Sequence, residues 1–338
     1  MFDPRTLRYA ATYAALVAAT AAALLIGLFF GGSALSPADV LWALAHPHAA
    51  NDASAIVWTL RLPRVAIGAF VGVALAISGM LLQGLLRNPL VDPFLTGVSA
   101  GAGAAIALSI AAGIAAPFVP GLGFAAGLAT AFLVAALARR GTGIDAERLI
   151  LAGVSLTALF SSIVALVLLR LGRTAVGQIL AWLTGSLAAR GWSDLAYAAP
   201  YGIAGLVLAL LAAPSLNALR LGPGVARAVG VDVARTQWLV LGGATLLAAS
   251  AVTLAGVVGF VGLIVPHLAR RIVGTDARGT LAASALIGAA LVPLADALAR
   301  SLAPPTEIPL GVLLAFIGVP TFLYLYLRPT NATRLWGT

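Results

Sequence analysis

Long apolar stretches alternate along almost the whole chain with short segments that carry arginine, proline or aspartate. The stretch from Val65 to Leu86 contains no charged residue, and the polar segments RLPR and RNPLVDP flank it. A helix rises about 1.5 Å per residue, so about 20 apolar residues cross the hydrocarbon core of a bilayer. The stretch is therefore predicted to be a membrane-spanning helix with marked ends.

Ten such apolar runs can be placed along the chain. They cover residues 10–30, 65–86, 94–113, 120–138, 149–169, 193–213, 236–255, 258–272, 281–299 and 309–327. The Gly-rich junction AGVVGFVGLIVPH leaves the boundary between the seventh and eighth runs open. The pattern predicts an all-α integral membrane protein, a ten-transmembrane-helix bundle that forms one domain over residues 1–338.

The composition agrees with a membrane location. Of the 338 residues, 61% are hydrophobic and 9% are charged, and the mean hydropathy is +1.05. A water-soluble domain does not tolerate so apolar a composition. The run from Ala10 to Phe30 is too long and continuous for a signal peptide, and we interpret it as the first crossing.

The basic residues predict an orientation and exclude one chemistry. All 20 are arginine, because the chain contains no lysine. If both termini are inside, fourteen arginines, including Arg328 and Arg334, lie in inner segments. The six in outer segments are Arg61, Arg64, Arg170, Arg173, Arg190 and Arg300. The positive-inside rule therefore places both termini in the cytoplasm. A P-loop ATPase site needs a lysine at the nucleotide phosphates, so this chain cannot contain one.

Six segments, in this order, carry a resemblance to a known family. They are RLPR (61–64), SGMLLQGLLRNPLVDPFLTGVSAGA (78–102), LAGVSLTA (151–158), GFVGLIVPHLAR (259–270), ADALAR (295–300) and EIPLGVLLAFIGVPTFLYLY (307–326). In them the chain resembles the permease subunits of bacterial ABC importers for iron chelates (siderophores), haem and vitamin B12. The resemblance implies a type II ABC importer permease: a homodimer around a central pathway, with two cytoplasmic ATPase subunits and a periplasmic substrate-binding protein.

The function implied by this resemblance is the ATP-driven import of haem or a ferric siderophore through the bacterial inner membrane. A cobalamin (corrinoid) cargo is the alternative. The resemblance implies no catalytic residue, no metal site and no stably bound cofactor in this chain, because ATP and Mg bind to the partner ATPase. Nucleic acid is not an expected partner, since the arginines lie at the ends of apolar runs and not on one basic face.

Arginines mark the predicted outer end of the second crossing. Arg61 and Arg64 are three residues apart and therefore lie on one face of a helical turn. The alternative is that arginines at the end of a span extend to the lipid headgroups and need no protein partner. The resemblance implies that Arg61, Arg64 and Arg300 bind acidic residues of the substrate-binding protein. Asp296 precedes Arg300 by four residues and is expected to pair with it.

Two inner segments are further candidate sites. Prolines interrupt the helical pattern in NPLVDP, which is typical of an ordinary turn. The resemblance implies instead a cytoplasmic gate that consists of Asn88, Leu90, Ala146 and Glu147, although Glu147 is larger and more acidic than the small hydroxyl residue expected there.

The inner loop 214–235 is predicted to contain a short helix between Gly222 and Gly230, because Pro223 suits a helix start and glycine a helix end. A generic amphipathic loop is the alternative. The resemblance implies that this element couples the chain to its ATPase through Leu221, Gly222, Ala226, Arg227 and Gly230.

A short outer helix is predicted to begin at Ser36, with Pro37 in its first turn and Asp39 as the capping acid, and to carry His46 and His48. We expect no ligand at these histidines.

A functional alternative from another class is an ion-coupled secondary carrier, which needs ionisable residues on the transport path within the spans. Asp92, Asp296 and Glu307 all lie at predicted span ends, so the pattern disfavours a carrier.

Overall fold

The computed structural model describes residues 4–31, 35–141, 143–302 and 306–327. Arg328 and Arg334, which the predicted topology places inside, lie outside the described residues. The α-helices in the described part are α1 Pro4–Phe29, α2 Pro37–Ala45, α3 Asp52–Ala55, α4 Leu62–Leu86, α5 Val98–Ala111, α6 Val119–Leu137, α7 Ala146–Leu168, α8 Arg173–Leu183, α9 Trp192–Arg220, α10 Pro223–Ala228, α11 Val233–Ala255, α12 Val261–Val273, α13 Ala277–Leu302 and α14 Leu310–Leu327.

Short irregular elements complete the described fold. A π-helical turn, Ile56–Arg61, joins α3 to α4, and 3-10 turns cover Pro93–Thr96 and Ala116–Phe118. The two-residue strands β1 Arg139–Arg140 and β2 Gly143–Ile144 pair antiparallel before α7.

Each predicted apolar run corresponds to a helix, but the helices differ in length. Seven segments of the described chain are long and apolar enough to cross a membrane: Leu7–Phe29, Asp52–Leu86, Ala116–Leu137, Ala146–Leu168, Trp192–Arg220, Val233–Ala255 and Ala277–Leu302. The other three runs form the shorter helices α5, α12 and α14. The all-α membrane fold is therefore confirmed, whereas the count of ten crossings is not.

Two predicted boundaries are wrong. The helix α9 continues through Pro200 and Pro214 to Arg220, so the inner loop predicted to begin at residue 214 begins after Arg220. Neighbouring helices in a bundle can satisfy the backbone groups that an internal proline frees.

The helix α2 begins as predicted, with a capping box between Ser36 and Asp39. The hydroxyl of Ser36 donates to Asp39 and holds the pKa of that carboxyl below its usual value. The helix ends at Ala45, so His46 and His48 lie beyond it. Pro47 explains this end, because proline disfavours helical backbone at the preceding residue.

The helix α4 lies at the centre of the bundle. In the most apolar 18-residue stretch of the segment that contains α4, 78% of the residues are buried, whereas 11% are buried in the corresponding stretch of α7. Ile67, Ile77 and Met80 of α4 are fully buried. A Cβ on Gly72 or Gly79 would overlap the backbone of α13 or α12 respectively, so glycine permits the close approach of three helices.

The boundary that the sequence left open is a non-helical segment, residues 256–260, between α11 and α12. The 23 residues of α11 span about 34 Å, enough to reach the far side of a bilayer. The next helix, α12, begins beside α4, because Gly262 in its first turn packs against Gly79. Gly79 is only seven residues, or about 10 Å, from the end of α4. The segment therefore lies within the depth of the membrane and not at its surface. Non-helical backbone at this depth is tolerated only where it is buried in protein or lines a cavity.

Candidate functional site

Five charged side chains meet at the end of the bundle where α4 begins and α13 ends. The Nε and Nη2 atoms of Arg64 donate to both carboxylate oxygens of Asp296 at 2.9 to 3.2 Å. The Nη atoms of Arg64 also donate to Glu307 at 2.8 and 3.1 Å. The Nε of Arg300 lies 3.0 Å from Asp296, so the expected pair within α13 is confirmed.

The same arginines also hold the end of α1. Arg61 Nη1 donates to the carbonyl oxygens of Leu28 and Phe29 at 3.0 Å, and Arg300 Nη2 donates to that of Gly27 at 2.9 Å. The last carbonyls of a helix lack partners within the helix and carry partial negative charge, so two cations stabilise this end.

These contacts bury most of the cluster. Arg61 is 3% exposed and Arg300 is 5% exposed, while the side chains of Arg64 and Glu307 are 14% and 39% exposed. The structure thus brings the three predicted docking arginines together, but engages them within the chain. Their contact with a partner protein stays a prediction.

The first predicted gate segment, residues 88–92, is an ordered turn. It begins after Arg87, which has a left-handed backbone (φ 51°). The side chain of Asn88 accepts a hydrogen bond from Leu90 N at 2.9 Å, and Asp92 accepts one from Phe94 N at 3.0 Å. Burial raises the pKa of Asp92 to about 6. Leu90 is exposed, whereas the neighbouring Val91 is 1% exposed.

The second predicted gate segment is the start of α7. Asp145 caps this helix by accepting a hydrogen bond from Arg148 N at 3.1 Å, which holds the pKa of Asp145 below its usual value. Ala146 and Glu147 are the first residues of the helix, and Glu147 is exposed. The turn after the first gate segment contacts α7 closely, because a Cβ on Gly153 would overlap the carbonyl oxygen of Leu95. The gating role of all four residues stays a prediction.

A short helix, α10, occupies the predicted coupling loop. Gly222 precedes it with φ 111° and Gly230 follows it with φ 81°, backbone conformations that favour glycine. Ala226 is buried, Arg227 is exposed, and three large apolar side chains on or beside the helix face outward: Leu221, Val225 and Val229. The helix therefore presents an apolar surface at this end of the bundle, and its coupling role stays a prediction.

The sequence analysis missed a buried polar pair beside the first gate segment. The Nη2 of Arg270 donates to the Oε1 of Gln83, and Gln83 is completely buried. The Nε2 of Gln83 lies 3.1 to 3.3 Å from three backbone carbonyl oxygens, those of Val91, Gly262 and Leu263. The available signal was an amide side chain inside the otherwise apolar run 65–86.

A cavity of about 510 Å³ lies between α5, α7 and α8. Its lining residues are Phe94, Ser99, Ala100, Gly103, Thr157, Ser161, Val164, Ala165, Leu168, Leu183 and Val257. These described lining residues include no ionisable side chain. The Oγ of Ser99 is buried and has no hydrogen-bond partner among the described residues. The cavity therefore offers an apolar wall with a few hydroxyl groups.

Comparison with known proteins gives one consistent result. Residues 19–328 match the model of the FecCD transport family. A cobalamin import system permease protein, BtuC, from Halobacterium salinarum is 42% identical over 280 residues, which are 81% of this chain and 74% of the relative. A hemin transport system permease protein, HmuU, from Yersinia pestis is 40% identical over 82% of this chain and 85% of its own length.

A third relative and a solved structure extend the comparison. An Fe(3+) dicitrate transport system permease protein, FecD, from Escherichia coli is 38% identical over 85% of this chain and 88% of its own length. An inward-facing structure assigned to the metal-chelate type of ABC transporter superposes with a TM-score of 0.79 at 31% identity, covering 95% of this chain and all of the other.

Proposed function

The chain belongs to the FecCD transport family, and on that premise we propose that it is the permease of an ATP-driven importer for haem or a ferric siderophore. The single observation that carries this proposal is the match of residues 19–328 to the family. Relatives named for hemin and for Fe(3+) dicitrate support an iron-chelate cargo, and the relative named for cobalamin supports a corrinoid as the alternative. The permease would lie in the inner membrane with both termini in the cytoplasm.

The energy for import would come from a separate subunit. The chain contains no lysine, so a P-loop nucleotide site, with its ATP and Mg, belongs to a partner ATPase. The exposed apolar side chains of Leu221, Val225 and Val229 support α10 as the ATPase contact, and Gly222 and Gly230 set the geometry of that helix. The coupling element would thus be this helix and its flanking residues, which lie between α9 and α11 within a single permease domain, 1–338.

The permease would act as a homodimer across a central cargo path. Most of α7 is exposed within one copy of the chain, and its exposed residues include Ser155 and Ser161 near the middle of the helix. Hydroxyl groups gain little from contact with hydrocarbon and favour a protein or water neighbour. This supports placing α7 between the cargo path and the second copy.

The cavity beside α7 would form part of the cargo path. Val257 of the non-helical segment 256–260 contributes to its lining, as expected for irregular backbone within a membrane. The unpartnered hydroxyl of Ser99 offers a hydrogen bond to a passing molecule. A wall without ionisable groups suits the apolar face of a porphyrin better than a highly charged chelate.

The substrate-binding protein would dock at the charged cluster formed by Arg61, Arg64, Asp296, Arg300 and Glu307. Arg64 and Glu307 reach the surface, so Arg64 would steer acidic residues of the binding protein, while Arg61 and Arg300 hold the underlying helix ends. Exposed ion pairs contribute only about 0.2–1 kcal/mol each. Docking should therefore weaken as salt rises, and its rate should respond more than its lifetime.

On the opposite side, Asn88 and Leu90, together with Ala146 and Glu147, would close the path towards the cytoplasm. The support is their placement: the ordered turn 88–92 and the start of α7 lie at ends of the helices that flank the cavity. Movement of α10 during the ATPase cycle would open this gate.

The assembly can be tested by native mass spectrometry of the permease purified together with its ATPase. We expect a complex of two permeases and two ATPases that hydrolyses ATP. In a Val225→Asp variant the complex should dissociate, because a carboxylate would enter an apolar contact, whereas Leu41→Asp on α2, an exposed position at the opposite end of the bundle, should leave ATPase binding intact. A monomeric permease that binds no ATPase would contradict the proposal.

A further inference from the structure

We propose that Gln83 is the positioning residue that holds the gate segment, residues 88–92, against the first turn of α12. The gating role of this segment rests on the proposed function, whereas its contact with Gln83 does not depend on that function. Gln83 lies on α4, five residues before the gate segment, and its amide reaches Val91 on one side and Gly262 and Leu263 on the other. Movement of the gate segment away from α12 therefore has to break a bond to Gln83.

The orientation of this amide is determined by its neighbours. The guanidinium of Arg270 can only donate hydrogen bonds, so it must face the Oε1 of Gln83. The three backbone carbonyls can only accept, so they must face the Nε2. Arg270 therefore sets the direction of the amide, and the amide sets the position of Val91.

Few other side chains could replace Gln83. Glutamate would place a second acceptor against three carbonyl oxygens, and an apolar side chain of similar length would make none of these bonds. The surroundings are closely packed, because Gln83 is completely buried and a Cβ on Gly79, one helical turn earlier, would overlap Gly262. The position thus requires a side chain that carries both a donor and an acceptor.

Arg270 links this contact to the side of the bundle that carries α10. Arg270 lies close enough to Arg220 for mutual electrostatic repulsion, and Arg220 is the last residue of α9, directly before the coupling element. The Nη1 of Arg220 donates to the carbonyl oxygen of Thr275, between α12 and α13. In addition, the guanidinium of Arg87, the residue directly before the gate segment, lies beside Gly222. The residue before the gate segment thus lies beside the start of the coupling element, and Arg270, which holds the amide of Gln83, lies near Arg220 directly before that element.

The chain contains no cysteine, so a single buried cysteine can report opening of the gate. Val91→Cys places a thiol at a position that is 1% exposed and leaves the backbone carbonyl in place. We expect a water-soluble maleimide to modify it slowly in the purified full-length chain. Adding Gln83→Met should accelerate modification about tenfold, because the bonds to Val91 and α12 are lost while the volume is kept.

Two controls separate this role from general loosening. Val134→Cys on α6 is also 1% exposed, and its modification rate should not change when Gln83→Met is added. Ser78→Ala removes another buried hydrogen bond from α4, the 2.7 Å bond to Ala244 O, and should leave the rate at Val91→Cys unchanged. The double variant Gln83→Met/Arg270→Met should react like Gln83→Met alone, because Arg270 acts through the amide.

A rate at Val91→Cys within about twofold of the parent would overturn the proposal, and so would an equal acceleration at Val134→Cys. If neither Gln83 variant can be purified, hydrogen exchange of the unaltered chain decides. One common protection factor for residues 88–92 and 261–265 would support the contact, and a difference above about tenfold would contradict it. These measurements use neither ATP nor cargo, so their failure is distinct from failure of the importer function.

Discussion

Asp296 is the residue on which the charged cluster depends. It lies on α13, is 2% exposed, and accepts hydrogen bonds from Arg64 while it pairs with Arg300. Glu307 contacts the same Arg64 from a far more exposed position. A buried charge that loses its partner is left uncompensated, whereas solvent replaces the partner of an exposed charge. The two acids should therefore differ strongly in their contribution to stability.

We predict that Asp296→Asn lowers the free energy of unfolding by about 3–5 kcal/mol, because it leaves Arg64 and Arg300 without their shared carboxylate. The matched variant Glu307→Gln should cost less than about 1 kcal/mol. Thermal unfolding of the purified permease in one detergent compares the two directly. Equal and small effects of both substitutions would show that the buried ion pairs do not stabilise this end of the bundle.

Sequence spacing predicted only part of this cluster. Asp296 and Arg300 are four residues apart, so helical periodicity was sufficient to pair them. The contact of Arg64 with Asp296 joins positions 232 residues apart, and periodicity carries no information at that separation. The sequence alone suggests charge reversal at Arg61 and Arg64 as a test of docking. In the structure this change would also remove the contacts of Arg61 with the end of α1 and would place an acid at position 64 beside Asp296 and Glu307.

Among the elements, α10 shows how local chemistry specifies a helix. Gly222, Pro223 and Gly230 predicted its start and its end, and the structure has both. Where local signals were insufficient, packing decided. Pro214 does not end α9, because the helix packs against neighbouring helices in the bundle. The sequence did not predict the end of α11, because the conformation of the glycines that follow it depends on neighbouring elements. Gln83 was missed because one amide in an apolar run has no periodicity.

We predict that Gly230→Pro reduces the amount of cargo transported per ATP hydrolysed. Proline requires φ near −65°, whereas Gly230 has φ 81°, so the turn that connects α10 to α11 must change. ATP hydrolysis should continue, because we propose that the nucleotide site lies in the partner ATPase. The measurement is uptake and ATP hydrolysis in the same vesicles.

The matched control for this variant is Gly224→Ala. Gly224 lies on the exposed side of α10, and a Cβ there meets no neighbouring atom. This variant should transport with the parent ratio of uptake to hydrolysis. An unchanged ratio in Gly230→Pro as well would remove α10 from the coupling mechanism.

At the scale of the whole molecule, the candidate sites lie at different levels along the bundle. The charged cluster lies at one end of the bundle, the apolar cavity lies between α5, α7 and α8, and the turn 88–92 and α10 lie near the other end. Composition and apolar runs were sufficient to predict the all-α membrane fold, and the six ordered motifs carried the resemblance to the family. They could not predict the cavity, because its walls come from segments far apart in the chain, nor how many helices cross completely.

The central claim is that a partner ATPase drives cargo through this chain. The most direct test measures haemin uptake into vesicles that contain the permease with its ATPase, in the presence of the substrate-binding protein. We predict uptake that requires ATP on the side of α10 and persists when the proton gradient is dissipated. Uptake by the permease alone, without ATP, that collapses with the proton gradient would contradict the account and indicate a secondary carrier.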